Sequence, residues 1–232
     1  MLVLVDFDNI EDRDRRLGVD HVVRKICSLI LPSISGASRI RMRFYGGWYE
    51  GGRLTNAAQA LAAEVRAVTP VRLPTDRATF ADVELAVSVL SDPRTTVDNT
   101  FRRRGYPRKM RCEASPFLHC ASPQACPLGA IEQFLGEQVC FTSGCTVMPE
   151  HIFYKAEQKV VDTMLVADLM FATIDGERRI AVVSRDDDVW PGLSFASARL
   201  EVLAHVSTVA QARMPSYYKS LPKPPYSHFL WE

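Results

Sequence analysis

The sequence predicts an α/β protein: a mostly parallel sheet sandwiched by helices and interrupted by a basic, cysteine-rich insertion. Three observations predict it. Apolar runs of strand length alternate along the chain with segments of helical periodicity. Two of those runs end in acids, the pattern of buried parallel strands whose C-terminal tips carry polar groups to a ligand site. Residues 92–146 break the rhythm and hold five of the six cysteines.

Each element follows from its residues. Leu2 to Val5 is wholly apolar and stops at Asp6, a buried strand. Asp20 is placed to cap a helix whose apolar positions are Val22, Val23, Ile26, Leu29 and Ile30. Arg39 to Tyr45 alternates, with Ile40, Met42 and Phe44 inward, and Gly46-Gly47 ends it. Thr55 to Val68 is Ala-rich and helical. Val83, Leu85, Val87 and Val89 alternate as a strand, with a helix the alternative. A helix runs from Lys159 to about Thr173. Ile180 to Val183 is a second continuous apolar strand, and Leu200 to Val206 alternates as the last. The Pro- and Tyr-rich tail, 216–232, reads as extended. The domain is thus 1–215, with a discontinuous core of 1–91 and 147–215 around the insertion at 92–146.

Of 232 residues, 47% are hydrophobic and 24% charged, enough for a core and too apolar for disorder. Lys+Arg 28 against Asp+Glu 27 leaves a net charge of +1, so a polyanion would need a local basic patch. No apolar run approaches the roughly 20 residues of a membrane span. Asp6 comes too early for a signal-peptide core, so the expected compartment is the cytoplasm, with reduced, metal-bound or buried cysteines.

The acids carry the chemistry. Asp6 and Asp8 follow the first strand, and Asp186, Asp187 and Asp188 follow the 180–183 strand. One such cluster would be read as a helix cap or a solvated turn. Two at the carboxyl ends of buried strands repel each other unless a hard divalent cation such as Mg²⁺ or Mn²⁺ relieves the repulsion. Such an ion activates water and stabilises a departing phosphodiester oxygen.

Three segments, VLVDFDNI, EQKVVDTMLVADLM and VVSRDDDVWPGL, together resemble the NYN domain of the PIN-like nucleases. The matching residues are Asp6 with Asn9, then Lys159 with Asp162, then Ser184, Asp186, Asp188 and Pro191, in the family's order. The resemblance covers residues 1–91 and 147–210, and its specificity lies in the combination. It implies a PIN-like, Rossmann-like fold and a metal-dependent ribonuclease. Val160 and Arg185 stand where many relatives carry Gly.

On this reading Asp6, Asp162 and Asp186 are the ligand candidates, with Asp188 completing the set directly or through water. Asn9 orients Asp6, touches phosphate or caps a turn. Asp8, Asp187, Ser184 and Lys159 rank behind them. Asp168 lies six residues after Asp162, about 240° around the helix, and cannot share its face; it would reach the site from a bend or face solvent. Glu84 is a weaker candidate. Trp190 and Pro191 read as fixing the start of the next helix.

The run FRRRGYPRKMR places Arg102, Arg103, Arg104, Arg108, Lys109 and Arg111 together with no acid among them. Guanidinium groups pair with phosphates, and the interleaved Phe101 and Tyr106 can stack on unpaired bases; a solvated loop is the alternative. Cys120, Cys126, Cys140 and Cys145, with Cys112 or His119 as substitutes, form a candidate structural Zn²⁺ set, against free buried thiols. RNA is the expected partner, with DNA open and a protein partner at the insertion or the C-terminal tail as a further alternative. Competing functions are an inert RNA-binding or scaffold protein on the same fold, and a phosphatase of the haloacid dehalogenase type using Asp6.

Overall fold

The computed structural model describes residues 1–30, 33, 39–74, 79–105, 121–122, 126–140, 142–210 and 213–231. In chain order the elements are β1 (Leu2–Asp6), α1 (Asp12–Arg15), α2 (Val19–Leu29), β2 (Arg39–Tyr45), β3 (Tyr49–Glu50), β4 (Arg53–Leu54) and α3 (Asn56–Val68). Then come β5 (Val71–Leu73), β6 (Thr79–Leu85), β7 (Phe101–Gly105), α4 (Pro127–Glu137), α5 (Pro149–Ile152) and β8 (Tyr154–Gln158). The chain continues with α6 (Val161–Ile174), β9 (Arg179–Val183), α7 (Trp190–Ser197), β10 (Val202–Ser207) and β11 (Tyr226–Leu230).

The central sheet has seven strands in the order β11-β10-β9-β1-β2-β6-β5. Every pairing is parallel except β5 with β6. The apolar run of β1 has a direct cause, because both of its faces are buried. Val3 and Val5 pack with Val22, Ile26 and Val65 of α2 and α3 on one face. Leu2 and Leu4 pack with Leu165, Leu169 and Leu193 of α6 and α7 on the other. A strand covered on both faces carries no polar alternation. No helix among the described residues is long and apolar enough to cross a membrane.

Some boundaries move for identifiable reasons. Helix α2 begins at Val19 on the cap residue Gly18 rather than at Asp20. The Val19 N–H is satisfied by Glu64 Oε1 at 2.6 Å, and Asp20 instead pairs with Arg24 one turn on. The strand expected at 83–89 lies at Thr79–Leu85, because β2 supplies partners only as far as Phe44, opposite Leu85. Helix α3 fills the expected span and is capped by Thr55, whose Oγ1 accepts the Ala58 N–H at 3.2 Å.

The tail, read as extended, is so over its last residues and joins the sheet. Its last residues form β11, a parallel edge strand whose Tyr226 joins the α6/α7 core and whose neighbour Trp231 joins the α2/α3 core. Trp231 Nε1 donates to Asp14 Oδ2 at 2.9 Å, and Lys25 Nζ lies 4.7 Å over its ring. Burial alone would raise the Asp14 carboxyl, but hydrogen bonds from His21, Trp231 and Lys25 outweigh it and bring it down to about 2. Trp231→Phe keeps the ring and removes the bond to the carboxylate. Its expected cost is about 2 kcal/mol in urea unfolding, and no loss of stability would show the tail to be incidental.

The chain divides into two compact units, 1–101 with 158–232, and 102–157. The second spans 102–157 rather than the expected 92–146. It holds α4, α5 and most of the β7–β8 pair, where the sequence predicted no regular element. Helix α4 starts on Pro127 and ends at Gln138 in the left-handed region, and the Phe134 and Phe153 rings meet at 6.4 Å.

Candidate metal centre

Three separate elements deliver the central acids. Asp6 ends β1, Asp162 lies in the first turn of α6, and Asp186 follows β9. One carboxylate oxygen from each lies within 4.8 Å of the others, and among the described residues no other group of His, Cys, Asp and Glu meets that condition. Because β1 and β9 are parallel neighbours, their tips sit side by side. The cluster lies at the carboxyl edge of the sheet, where ligands of open α/β folds bind.

Asn9 and Ser184 tie the cluster together. Asn9 Nδ2 donates to Asp6 Oδ2 and, at 2.6 Å, to Asp186 Oδ2. Ser184 Oγ donates to Asp6 Oδ2 at 3.2 Å and accepts the Asp186 N–H at the same distance. One amide thus holds two like-charged groups. The short helical turn Phe7–Asn9 after β1 makes this possible by bringing Asn9 back toward Asp6.

Burial and repulsion between carboxylates set the electrostatics. Asp6 is 3% exposed. Burial, then Asp162, Asp186 and Asp8, push its carboxyl up to about 7, against the Ser184 hydrogen bond. Burial, then Asp186 and Asp188, also raise Asp162. A donor set made only of carboxylate oxygens fits a hard divalent cation, which would remove that repulsion. Asp6, Asp162 and Asp186 would hold it.

The other sequence candidates have different places. Asp8 is pinned to the turn after β2: its carboxylate accepts the Gly47 N–H at 2.9 Å and the Gln158 amide, with Arg15 3.6 Å away. Gly46 must be glycine there, since a Cβ would come within 2.7 Å of Asp8 Oδ2 and 2.6 Å of the Trp48 ring. Asp187 and Asp188 are exposed and line an adjoining groove, and Asp188 stands outside the three-residue group. Lys159 donates its backbone N–H to Thr100 O at 2.9 Å. Glu84 pairs with Arg43 at 2.9 Å on β6, outside the cluster.

Asp168 is a correction: it neither reaches the cluster nor meets solvent. It is fully buried, accepting from Tyr45 Oη at 2.5 Å and the Leu90 N–H at 2.6 Å, with Arg43 Nε 3.4 Å away. The helix turns it toward β2, away from Asp162. No sequence signal marked Tyr45 or Arg43 as its partners, because an alternating strand gives no hint that its polar face is buried.

Among the described residues, Cys126, Cys140 and Cys145 form no three-residue metal group. Cys120, Cys112 and His119 lie outside the described residues, as do Arg108, Lys109 and Arg111. Arg102, Arg103 and Arg104 fall on β7.

Val160, just before α6, has φ 61°, in the left-handed region that favours glycine. Its side chain is 44% exposed, so it contributes little packing to offset the strain. Val160→Gly is expected to stabilise the protein by about 1 kcal/mol in a denaturant melt, and destabilisation would mean that the valine packs usefully.

The chain matches no family model, no curated protein and no solved structure. Fold and site together define an α/β protein with an all-carboxylate cluster beyond the ends of its parallel strands.

Proposed function

We propose that the protein is a metal-dependent nuclease of the PIN-like, NYN kind that hydrolyses phosphodiester bonds in RNA. The observation that carries this reading is the convergence of Asp6, Asp162 and Asp186 from three elements distant in sequence. Those are the acids of the three segments that resemble the NYN pattern. A bound Mg²⁺ or Mn²⁺ supplies Lewis acidity at a phosphate oxygen and a coordinated water of lowered pKa.

The chain's own groups prepare that site. Asp6, Asp162 and Asp186 hold the ion, and burial of Asp6 keeps competing water away from its carboxylate. Asn9 and Ser184 fix the separation of Asp6 and Asp186, so the ligand oxygens need little reorganisation on loading. The basic run Arg102, Arg103, Arg104, Arg108, Lys109 and Arg111 is assigned to phosphate contacts, which position a strand without reading its sequence.

Labelled RNA and DNA, each incubated with Mg²⁺, Mn²⁺ or EDTA, test the proposal. Cleavage of RNA with either metal and none in EDTA is expected. Binding without cleavage under all three conditions would favour an inert RNA-binding protein. An acyl-phosphate trapped on Asp6 would favour the phosphatase.

A further inference from the structure

A groove of about 360 Å³ opens beside the carboxylate cluster. That volume falls within the roughly 300–1,000 Å³ of small-molecule sites. Asp162 and Val166 of α6 line it, with Asp188, Trp190 and Pro191 at the start of α7, and Tyr217 from the segment before β11. Asp162 belongs both to the groove and to the cluster. Whatever lies in the groove therefore lies next to whatever the cluster binds.

Its aromatic residues are held in place, Trp190 half-buried against the core and Tyr217 exposed. The Trp190 and Tyr217 rings meet edge to face, with centroids 5.0 Å apart and planes at 64°. Trp190 Nε1 donates to the Tyr217 carbonyl at 3.3 Å, which locks the indole to the backbone that carries the phenol. Tyr217 nonetheless remains 38% exposed. An exposed tyrosine braced by the half-buried Trp190 and by Tyr218, whose ring centroid is 5.2 Å away, is a stacking platform.

The charge around it selects the occupant. Asp187, which accepts from the Tyr217 and Tyr218 hydroxyls, and Asp188 line the groove, so a phosphate is repelled from it, while the N–H donors on a nucleobase edge find a carboxylate acceptor at Asp188. A flat ring with N–H groups on its edge matches both features. A base paired within a duplex is stacked on both faces and cannot enter.

We propose that the Trp190–Tyr217 groove is a nucleobase subsite, which restricts the enzyme to a strand with an unpaired nucleotide beside the cleaved phosphate. This inference rests on the nuclease reading, since that reading puts a polynucleotide at Asp162. Tyr217 is the stacking residue, and Trp190 sets its position and closes the wall.

The test uses the full chain carrying Asp6→Asn, with Mg²⁺, so that binding is read without cutting. The probes are a short single-stranded RNA, the same backbone without bases, a blunt duplex and an arginine-rich peptide. Trp190 fluorescence reports occupancy, because Trp48 and Trp231 are both 4% exposed. Tyr217→Ala should weaken the single strand about tenfold or more, whereas Tyr217→Phe should hold it within about twofold. The base-free strand should bind weakly and ignore the Ala substitution. Equal RNA affinity in Tyr217→Ala and its parent, or quenching by the peptide and not by RNA, overturns the subsite.

The two readings fail separately. If the protein without Asp6→Asn cuts RNA and Tyr217→Ala cuts single strands with unchanged KM, the subsite falls and the nuclease stands. If RNA binds in a Tyr217-dependent way and no metal supports cutting, the nuclease falls and the base site stands. Absence of all RNA binding removes both.

Discussion

Asp6→Asn is expected to abolish RNA cleavage while raising stability in EDTA. The two effects share one cause. The Asp6 carboxyl is buried among Asp162, Asp186 and Asp8 and is pushed up to about 7. In the unfolded chain the same group titrates near 3.8. Between these values the folded state binds the extra proton, so stability falls as pH rises from about 4 to about 7, and above that the full penalty remains. A shift of this size corresponds to a cost on the order of 4 kcal/mol without metal. Asparagine removes the charge and keeps an oxygen for the Asn9 and Ser184 donors. In EDTA the variant should therefore melt higher than its parent at pH 8, and the gap should close toward pH 4. Adding Mg²⁺ or Mn²⁺ should stabilise the parent and leave the variant nearly unchanged. Cleavage at the parent's rate by Asp6→Asn would remove the catalytic assignment, whatever the melts show. A variant less stable than its parent at pH 8 in EDTA would mean that the carboxylate contributes more through hydrogen bonds than it costs by repulsion.

What could be read in advance depended on whether a residue's role left a local pattern. Leu2–Val5 and Ile180–Val183 were legible because strands buried on both faces must be apolar throughout. The acids at their tips stood out against that background. Their convergence with Asp162 rested on the resemblance, since spacing along the chain does not say which helix start faces which strand end. Asn9 was ambiguous between a turn cap and a ligand neighbour, and only the turn at Phe7–Asn9 brings its amide to both Asp6 and Asp186. The last strand was hidden by its composition. Tyr226 to Leu230 is short and follows a Pro-rich segment, and its burial depends on β10 offering an open parallel edge. Tyr217 was unreadable for the same reason, because its place beside Trp190 follows from where the tail folds back.

Asp168→Ala should be among the most destabilising single substitutions in the protein, by about 3–5 kcal/mol. The carboxylate is fully buried and takes three partners: the Tyr45 hydroxyl, the Leu90 N–H and the Arg43 guanidinium. Arg43 is itself only 6% exposed, and its other nitrogens go to Glu84 at 2.9 Å and the Ser88 carbonyl at 2.6 Å. Alanine would leave a buried cation without the buried one of its two counter-charges, with only the half-exposed Glu84 remaining, and a phenol without an acceptor. Breaking such a set from one side costs far more than the pair contributes in net stability, because the desolvation of Arg43 is no longer offset. Asp168→Asn keeps an oxygen for Tyr45 or Leu90 and loses only the charge, so its expected cost is smaller, about 1–3 kcal/mol. Urea unfolding of the three proteins should rank them parent, Asn, Ala. Metal-dependent cleavage separates this structural role from a catalytic one. Asp168 stands outside the cluster, so Asp168→Asn should cut RNA at the parent's rate wherever it is fully folded. A well-folded Asp168→Asn protein without activity would return Asp168 to the site and require a path from α6 to the carboxylate cluster that the present hydrogen bonds do not offer.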